Sequence, residues 1–209
     1  MKIETLFFGD RWANTYLLTD DNGECAAVDP GAPTPRLIEM LEGRGVKYIL
    51  LTHGHFDHIA SVPALREKTG AKVLIHPLDA PMTEDSDRNL SAHALGRALP
   101  PFTADRLIED GEILDFGGLK VLHTPGHTPG SVCFVGDNFI ISGDTLFAGG
   151  IGRTDFPGGS LAEMTASLKK LVALSGDYGV YPGHGGATTL ETERNENYYI
   201  RMLLQNGLC

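Results

Sequence analysis

The stretch Thr52-His53-Gly54-His55-Phe56-Asp57-His58 sets three imidazoles and a carboxylate close together in the chain. Imidazole nitrogen and carboxylate oxygen are the donor types that suit zinc, iron or manganese, whereas an all-oxygen shell suits calcium or magnesium. Alternate side chains of an extended segment project to one side, so His53 and His55 can approach one cation together. A following turn lets Asp57 and His58 face a neighbouring position. Gly54 keeps the backbone slim between them. Three further candidates stand at the ends of later β-type segments: His127 after Thr124-Pro125-Gly126, Asp144 after Ser142-Gly143, and His184 after Pro182-Gly183. The glycine before each lets the backbone turn sharply and aim the next side chain at a shared centre. A lone loop histidine is ordinarily solvated, but several imidazoles crowded with a carboxylate at one strand end need a common partner. His76, His93 and His123 lack the glycine-flanked setting and read as structural, with His123 packing against or orienting a neighbour.

The elements that must position these groups follow from periodicity. Ile3–Phe8, Asn14–Thr19 and Glu24–Asp29 are β-rich and separated by turn residues such as Asp20-Asp21-Asn22-Gly23, the pattern of an antiparallel meander. Pro35–Glu42 has a helical apolar period and stops at Gly43. Val46–Leu51 is a continuous apolar strand that ends directly on Thr52-His53. Ile59–Thr69 reads as a helix closed by Gly70, and Ala71–His76 as a strand. Pro77–Asp105 reads as helix and loop over one face. Leu119–His123, Ser131–Val135 and Phe139–Ser142 are β-type, followed by a glycine-rich loop from Phe147 to Gly159. Ser160 is an N-cap with Glu163 at the capping-box position, opening a helix whose Leu161, Met164, Leu168 and Leu171 share one face. Val180–Tyr181 is a last short strand and Thr189–Leu204 a closing helix. The order predicts a mixed α and β protein with two mixed sheets packed together and helices on both outer faces.

With 209 residues and 42% hydrophobic content, the chain can bury a full core, and its length suits one domain spanning 1–209. A formal net charge of -10 repels phosphate backbones and anionic lipid, which disfavours nucleic acid and membrane partners. Cys25, Cys133 and Cys209 are an odd number at no recurring spacing, so they read as reduced thiols rather than as a disulfide framework or thiolate zinc site. No run has the character of a signal peptide or reaches the roughly 20 apolar residues of a membrane-spanning helix, which leaves the cytoplasm as the expected location.

The run His53-x-His55-x-Asp57-His58, with His127, Asp144 and His184 downstream in that order, resembles the metallo-β-lactamase superfamily over nearly the whole chain. That resemblance implies a four-layer αββα sandwich with a two-metal cleft at one edge of the sheets. It further implies that His53, His55 and His127 hold one ion, that Asp57, His58 and His184 hold the other, and that Asp144 bridges them. The segment from Gly143 through Arg153 is similar to the glyoxalase II (hydroxyacylglutathione hydrolase) branch, and Gly152-Arg153-Thr154-Asp155-Phe156-Pro157-Gly158-Gly159 and Gly183–Thr189 look like its short bacterial members. A bridging aspartate at 144 sets this group apart from β-lactamases proper. Longer members carry a C-terminal helical substrate domain, which is not expected here, and a tyrosine where this sequence has Gly186.

The activity the resemblance implies is hydrolysis of a small-molecule thioester. Two divalent ions about 3.5–4 Å apart, zinc first and iron or manganese next, share a water, lower its pKa and hold a bridging hydroxide that attacks the thioester carbonyl. Asp57 orients that nucleophile as the catalytic carboxylate, and Arg153 stands where the glyoxalase II pattern carries a basic residue for a glutathione carboxylate. The competing expectations are an iron-dependent persulfide dioxygenase, which uses the equivalents of His53, His127 and Asp144, and a lactonase or other ester hydrolase.

Overall fold

The structure is a computed structural model that describes residues 1–205, so the thiol of Cys209 and the last four residues of the expected 1–209 domain lie outside the described residues. The first sheet is built in chain order from β1 (Lys2–Leu6), β2 (Thr15–Thr19), β3 (Cys25–Val28), β4 (Val46–Leu50), β5 (Lys72–Ile75) and β6 (Arg106–Leu107). β1 to β3 pair antiparallel and β3 to β6 parallel. Between them run α1 (Pro35–Leu41), α2 (Phe56–Ile59), α3 (Val62–Thr69) and α4 (Ser91–Leu95). The second half supplies β7 (Lys120–His123), β8 (Val132–Val135), β9 (Phe139–Gly143), a small hairpin of β10 (Leu146–Phe147) and β11 (Gly150–Ile151), α5 (Leu161–Val172), β12 (Gly179–Pro182), β13 (Thr188–Thr189), α6 (Leu190–Glu196) and α7 (Tyr198–Gln205). Its sheet runs β13-β12-β9-β8-β7, with β12 parallel to β9.

Period-two side-chain alternation makes the layers. In β2, Tyr16 and Leu18 face the second sheet and pack with Val28, Leu50 and Leu74 against Val121, Phe134 and Ile141. Leu17 faces the other way, into a layer with Ala27, Ile49 and Val73 under Leu37 and Leu41 of α1 and Val62 and Leu65 of α3. The outer face of the second sheet places Cys133, Val135 and Ile140 against Met164, Leu168 and Leu171 of α5 and Ile200 of α7. Each fully buried Leu or Phe contributes about 1.5–3 kcal/mol of transfer free energy. Helix, sheet, sheet, helix is the expected αββα order.

Three local expectations change. The helix foreseen over Ile59–Thr69 starts three residues later, as α3, with Pro63 in its first turn where no back-bonding amide is needed, and a separate short α2 over Phe56–Ile59 precedes it. Ser61 ties that junction to the loop after β3 through its amide on the Pro30 carbonyl at 2.9 Å. The closing helix over Thr189–Leu204 breaks at Asn197, whose Oδ1 accepts from the Tyr199 amide and restarts the chain as α7. Leu161, expected on the buried face of α5, is 60% exposed because it sits in the first turn, outside the stripe that touches the sheet. Ser160 is the N-cap as read, its Oγ accepting from the Glu163 amide, but the box is not closed, because the Ser160 amide donates to the Gly126 carbonyl at 2.8 Å rather than to the Glu163 side chain.

The glycine-rich loop is also more ordered than its composition suggests. Glu193 of α6 accepts from the Gly149 amide at 2.9 Å, and Asn197 donates to the Gly150 carbonyl at 3.0 Å, pinning the β10–β11 hairpin. Among the described residues, no helix is long and apolar enough to cross a membrane.

Candidate metal centre

Four loops leave the same edge of the two sheets. β4 ends at Leu50, two residues before Thr52 and His53, β7 and β8 flank the His127 loop, β9 ends at Gly143 beside Asp144, and β12 ends at Pro182 just before His184. The Val132 amide donates to the Thr52 carbonyl at 2.8 Å, which ties the two sheets together where their loops emerge.

All seven expected side chains meet there. The rings of His53, His55 and His127 have centroids 4.7 to 4.9 Å apart, and His58 packs at 5.5 Å from His184. One oxygen of Asp144 lies 3.4 Å from His58 Nε2, while the other lies 3.5 Å from His127 Nε2 and 3.8 Å from His184 Nε2. Asp57 Oδ2 is 3.1 Å from His184 Nε2. Donor atoms cluster within 4.8 Å of one another as His53-His55-His127, as His53-His58-Asp144 and as Asp57-His58-His184. The arrangement is two adjacent donor sets with Asp144 between them. His76, His93 and His123 stay outside it: His76 stacks on His123 at 4.1 Å, and His93 is a surface group near Asp87.

Whether these residues fit cations is decided by where their ring hydrogens go. His127 Nδ1 donates to the Arg153 carbonyl at 2.8 Å, and His58 Nδ1 faces Asp29 Oδ2 at 2.9 Å. The Thr52 hydroxyl gives its hydrogen to Asp29 and therefore accepts from His53 Nδ1 at 3.2 Å. With Nδ1 engaged, the Nε2 atoms of these rings aim inward. His53 Nε2, His55 Nε2, His58 Nε2 and Asp144 Oδ1 are buried with no hydrogen-bond partner. His55 Nδ1 lies 2.9 Å from His127 Nε2. Lone pairs at that separation repel unless a proton or cation lies between them, and native proteins seldom leave buried polar atoms orphaned. The donor set fits two transition-metal ions.

The electrostatics agree. Burial, reinforced by the charge of His58, pushes His53 far below its ordinary range, and burial with His127 pushes His55 down to about 3. Both rings are thus neutral donors at pH 7. Burial favours the neutral form of Asp57 and Asp144, but neighbouring His58 and His184 outweigh it at Asp57, and His58, His127 and His184 at Asp144, so both stay below the usual carboxylate range. His58 is pushed up, against its burial, by Asp144, Asp29 and Asp57. These three carboxylates make its Nε2 a strong base that binds either a proton or a cation.

The glycines act in different ways. Gly126 and Gly143 turn the chain with φ of 137° and 50°, as anticipated. Gly183 serves by its size, because a Cβ there would lie 2.2 Å from Asp144 Oδ1. Gly54 is also a matter of space, since its Cβ would meet Met82 Cβ at 2.6 Å.

Sequence reading passes over the groups that hold the ligand loops. Buried Asp29 accepts from the Thr52 amide at 2.8 Å as well as from the Thr52 hydroxyl and His58. Buried Asp79 accepts from the Gly54 amide (3.0 Å), the Thr128 hydroxyl (2.7 Å) and the Gly130 amide (2.7 Å), joining the His53–His55 loop to the His127 loop. Burial raises its pKa, opposed by those three donors. Asn14 donates to the carbonyls of Pro182 and Gly185 and anchors the His184 loop. Asp29 leaves a local trace as an aspartate ending a β-type segment before Pro30-Gly31. Asp79 and Asn14 leave none, because their partners are distant in sequence.

Above the centre lies a cavity of about 400 Å³ walled by Phe56, Leu90, Phe147, Ile151 and Phe156, with Asp57 and Asp144 at its floor and Arg153 on its wall. A larger hollow of about 500 Å³ between α1 and α3 carries Glu39, Glu42 and Glu67 and no convergent catalytic groups.

A family model described as the metallo-beta-lactamase superfamily matches residues 9–184. Hydroxyacylglutathione hydrolase GloC of Haemophilus influenzae is 35% identical over 196 residues, which cover 90% of this chain and 92% of that protein. Among solved structures, the BLEG-1 B3 metallo-β-lactamase matches with a TM-score of 0.89 at 35% identity, covering 95% of this chain and 99% of the other. TTHA1623, crystallised in a di-iron-bound form, matches with a TM-score of 0.85 at 40% identity, covering 94% and 99%.

Proposed function

The chain belongs to the metallo-β-lactamase superfamily, and from that premise we propose that it is a binuclear thioester hydrolase of the hydroxyacylglutathione hydrolase type. The observation that carries the reading is the set of buried, unpartnered atoms His53 Nε2, His58 Nε2 and Asp144 Oδ1, beside a His55 Nδ1 turned onto His127 Nε2 at 2.9 Å, at a centre whose Asp57, His127, Asp144 and His184 line an aromatic cavity. The resemblance to GloC supports the thioester half.

His53, His55 and His127 would hold one divalent ion and Asp57, His58 and His184 the second, with Asp144 placed to serve either. When bound, zinc, or iron or manganese on the same donors, supplies Lewis acidity and a water acidic enough to ionise near neutral pH. Asp57, on the cavity floor with Oδ2 beside His184, accepts a hydrogen bond from the attacking water and aims its lone pair at the thioester carbon. Phe56, Leu90, Phe147 and Phe156 cover the reacting atoms and exclude bulk solvent, which strengthens each charge interaction inside. Attack by the ionised water forms the C–O bond, collapse breaks the C–S bond to give a carboxylic acid and a thiolate, and the acid's proton passes to the thiolate or to solvent. A thiol of ordinary pKa about 8.5 leaves without a dedicated acid. Arg153, on the cavity wall, faces the thiol half.

The test is turnover of S-lactoylglutathione by the metal-loaded protein beside a chromogenic β-lactam and glutathione persulfide, the last followed by oxygen uptake. Thioester hydrolysis far above the other two supports the reading. The match to a B3 metallo-β-lactamase makes β-lactam opening the second reading. Predominant β-lactam opening or oxygen consumption would overturn the thioesterase proposal.

A further inference from the structure

Among the described residues lining the cavity, Arg153 is the one lysine or arginine. Its backbone is fixed, since its carbonyl accepts from His127 Nδ1 at 2.8 Å. Its guanidinium lies over the Phe156 ring at 3.9 Å, and that ring packs edge-on against His55 at 5.4 Å. The remaining contact is unfavourable to an anionic ligand. Arg153 Nε donates to Asp155 Oδ1 at 2.7 Å and Nη2 to Asp155 Oδ2 at 2.8 Å, a complete fork. That two-nitrogen edge is the one a substrate carboxylate would take for bidentate binding.

We infer that Asp155 is a specificity-determining residue: it occupies the binding edge of Arg153, neutralises this cation and biases the site towards thioesters whose thiol half carries no net negative charge. The inference rests on the thioesterase reading and deepens it. An incoming carboxylate must displace one already tethered two residues away, in a protein whose formal charge of -10 offers anions no long-range attraction. Both partners are solvent-exposed, so the bond is weak and the bias is a ratio between substrates rather than an exclusion. Asp155 makes its side-chain hydrogen bonds to Arg153 and none to a proposed metal donor, and its charge interaction with His127 is common to both substrates and cancels in their ratio.

The experiment compares zinc-loaded wild type, Asp155→Asn, Arg153→Gln and the double variant on two thioesters with the same acyl group, S-lactoylglutathione (net negative) and S-lactoyl-N-acetylcysteamine (neutral). The kcat/KM ratio of anionic to neutral substrate rises about three- to tenfold in Asp155→Asn, and the rise disappears when Arg153→Gln is added. An unchanged or lower ratio in Asp155→Asn overturns the inference. So does a rise that persists in the double variant, which would be a simple field effect of the lost charge. Calorimetric binding of non-hydrolysable S-methylglutathione to the same proteins needs no turnover. If wild type cleaves neither thioester, the thioesterase reading fails, and the affinity series alone decides on Asp155: tighter binding to Asp155→Asn supports it, and equal binding overturns it.

Discussion

Asp29 Oδ2 stands 2.9 Å from His58 Nδ1, and the same buried carboxylate takes the amide and hydroxyl hydrogens of Thr52. One residue at the end of β3 thus orients His58 directly and His53 through Thr52. Replacing it with alanine should lower metal affinity and thioester turnover together by about 10- to 100-fold, the usual cost of losing an outer partner of a metal-binding histidine. Metal content after dialysis against a graded chelator checks this. Full metal retention in Asp29→Ala would refute the orienting role.

Asp79 is expected to behave differently, since it touches no proposed ligand side chain. It spans two ligand loops, and Asp79→Ala would leave the Gly54 amide, the Thr128 hydroxyl and the Gly130 amide without their acceptor. A loss of about 2–4 kcal/mol in urea unfolding is expected, with weakened loading of the His53-His55-His127 set. A stability change within about 0.5 kcal/mol, the range of ordinary surface substitutions, would contradict the bridge.

Gly183→Ala adds one methyl group, but its Cβ would lie 2.2 Å from Asp144 Oδ1 and 2.8 Å from His58 Cε1. The carboxylate or the His184 loop has to move. Turnover should fall at least about tenfold, as misplacement of catalytic groups by about an ångström commonly causes, while the folded circular dichroism spectrum is kept. Unimpaired activity would show that the centre has slack which the packing does not suggest.

Acid sensitivity has an identifiable contributor outside the centre. His76 is buried on His123, and burial together with the His123 charge, against the opposing charge of Asp110, pushes its pKa down to about 4 from 6.5. The unfolded chain therefore takes up a proton near pH 6.5 that the native protein refuses until about pH 4. Stability contributed by neutral His76 is fully present above pH 6.5 and is lost progressively as pH falls towards 4. His76→Phe keeps an aromatic stack and removes the titration, so denaturation midpoints at pH 7 and pH 5 should lie closer together than in wild type. An equal or larger gap would exclude His76 as a contributor.

The ligand side chains are legible in the sequence because metal chemistry restricts residue type and because strand ends place loops predictably. The β-branched and aromatic content of Thr15–Thr19 and the apolar residues flanking Lys47 in Val46–Leu50 similarly expose the sheets, since strands buried between layers are rich in such side chains. What escapes is decided by partners far along the chain. Asp79 has acceptor roles towards residues 54, 128 and 130, which no local pattern encodes. The late start of α3 at Val62-Pro63 and the break at Asn197 are visible only as residues a helix tolerates at its ends, and the side chain of Asn197 becomes decisive through its hold on Gly150. Gly183 is conspicuous in the sequence for the wrong reason, as a turn-former, when its value is the volume it leaves for Asp144.

Metal stoichiometry coupled to activity bears most directly on the central claim. Elemental analysis of the purified protein should give about two transition-metal ions per chain, as a two-metal site requires, with thioester turnover lost on chelation and restored by adding back zinc, iron or manganese. Turnover that survives chelation in a chain stripped of metal would contradict the account, because the same seven side chains would then be acting without the ions their geometry is built to hold.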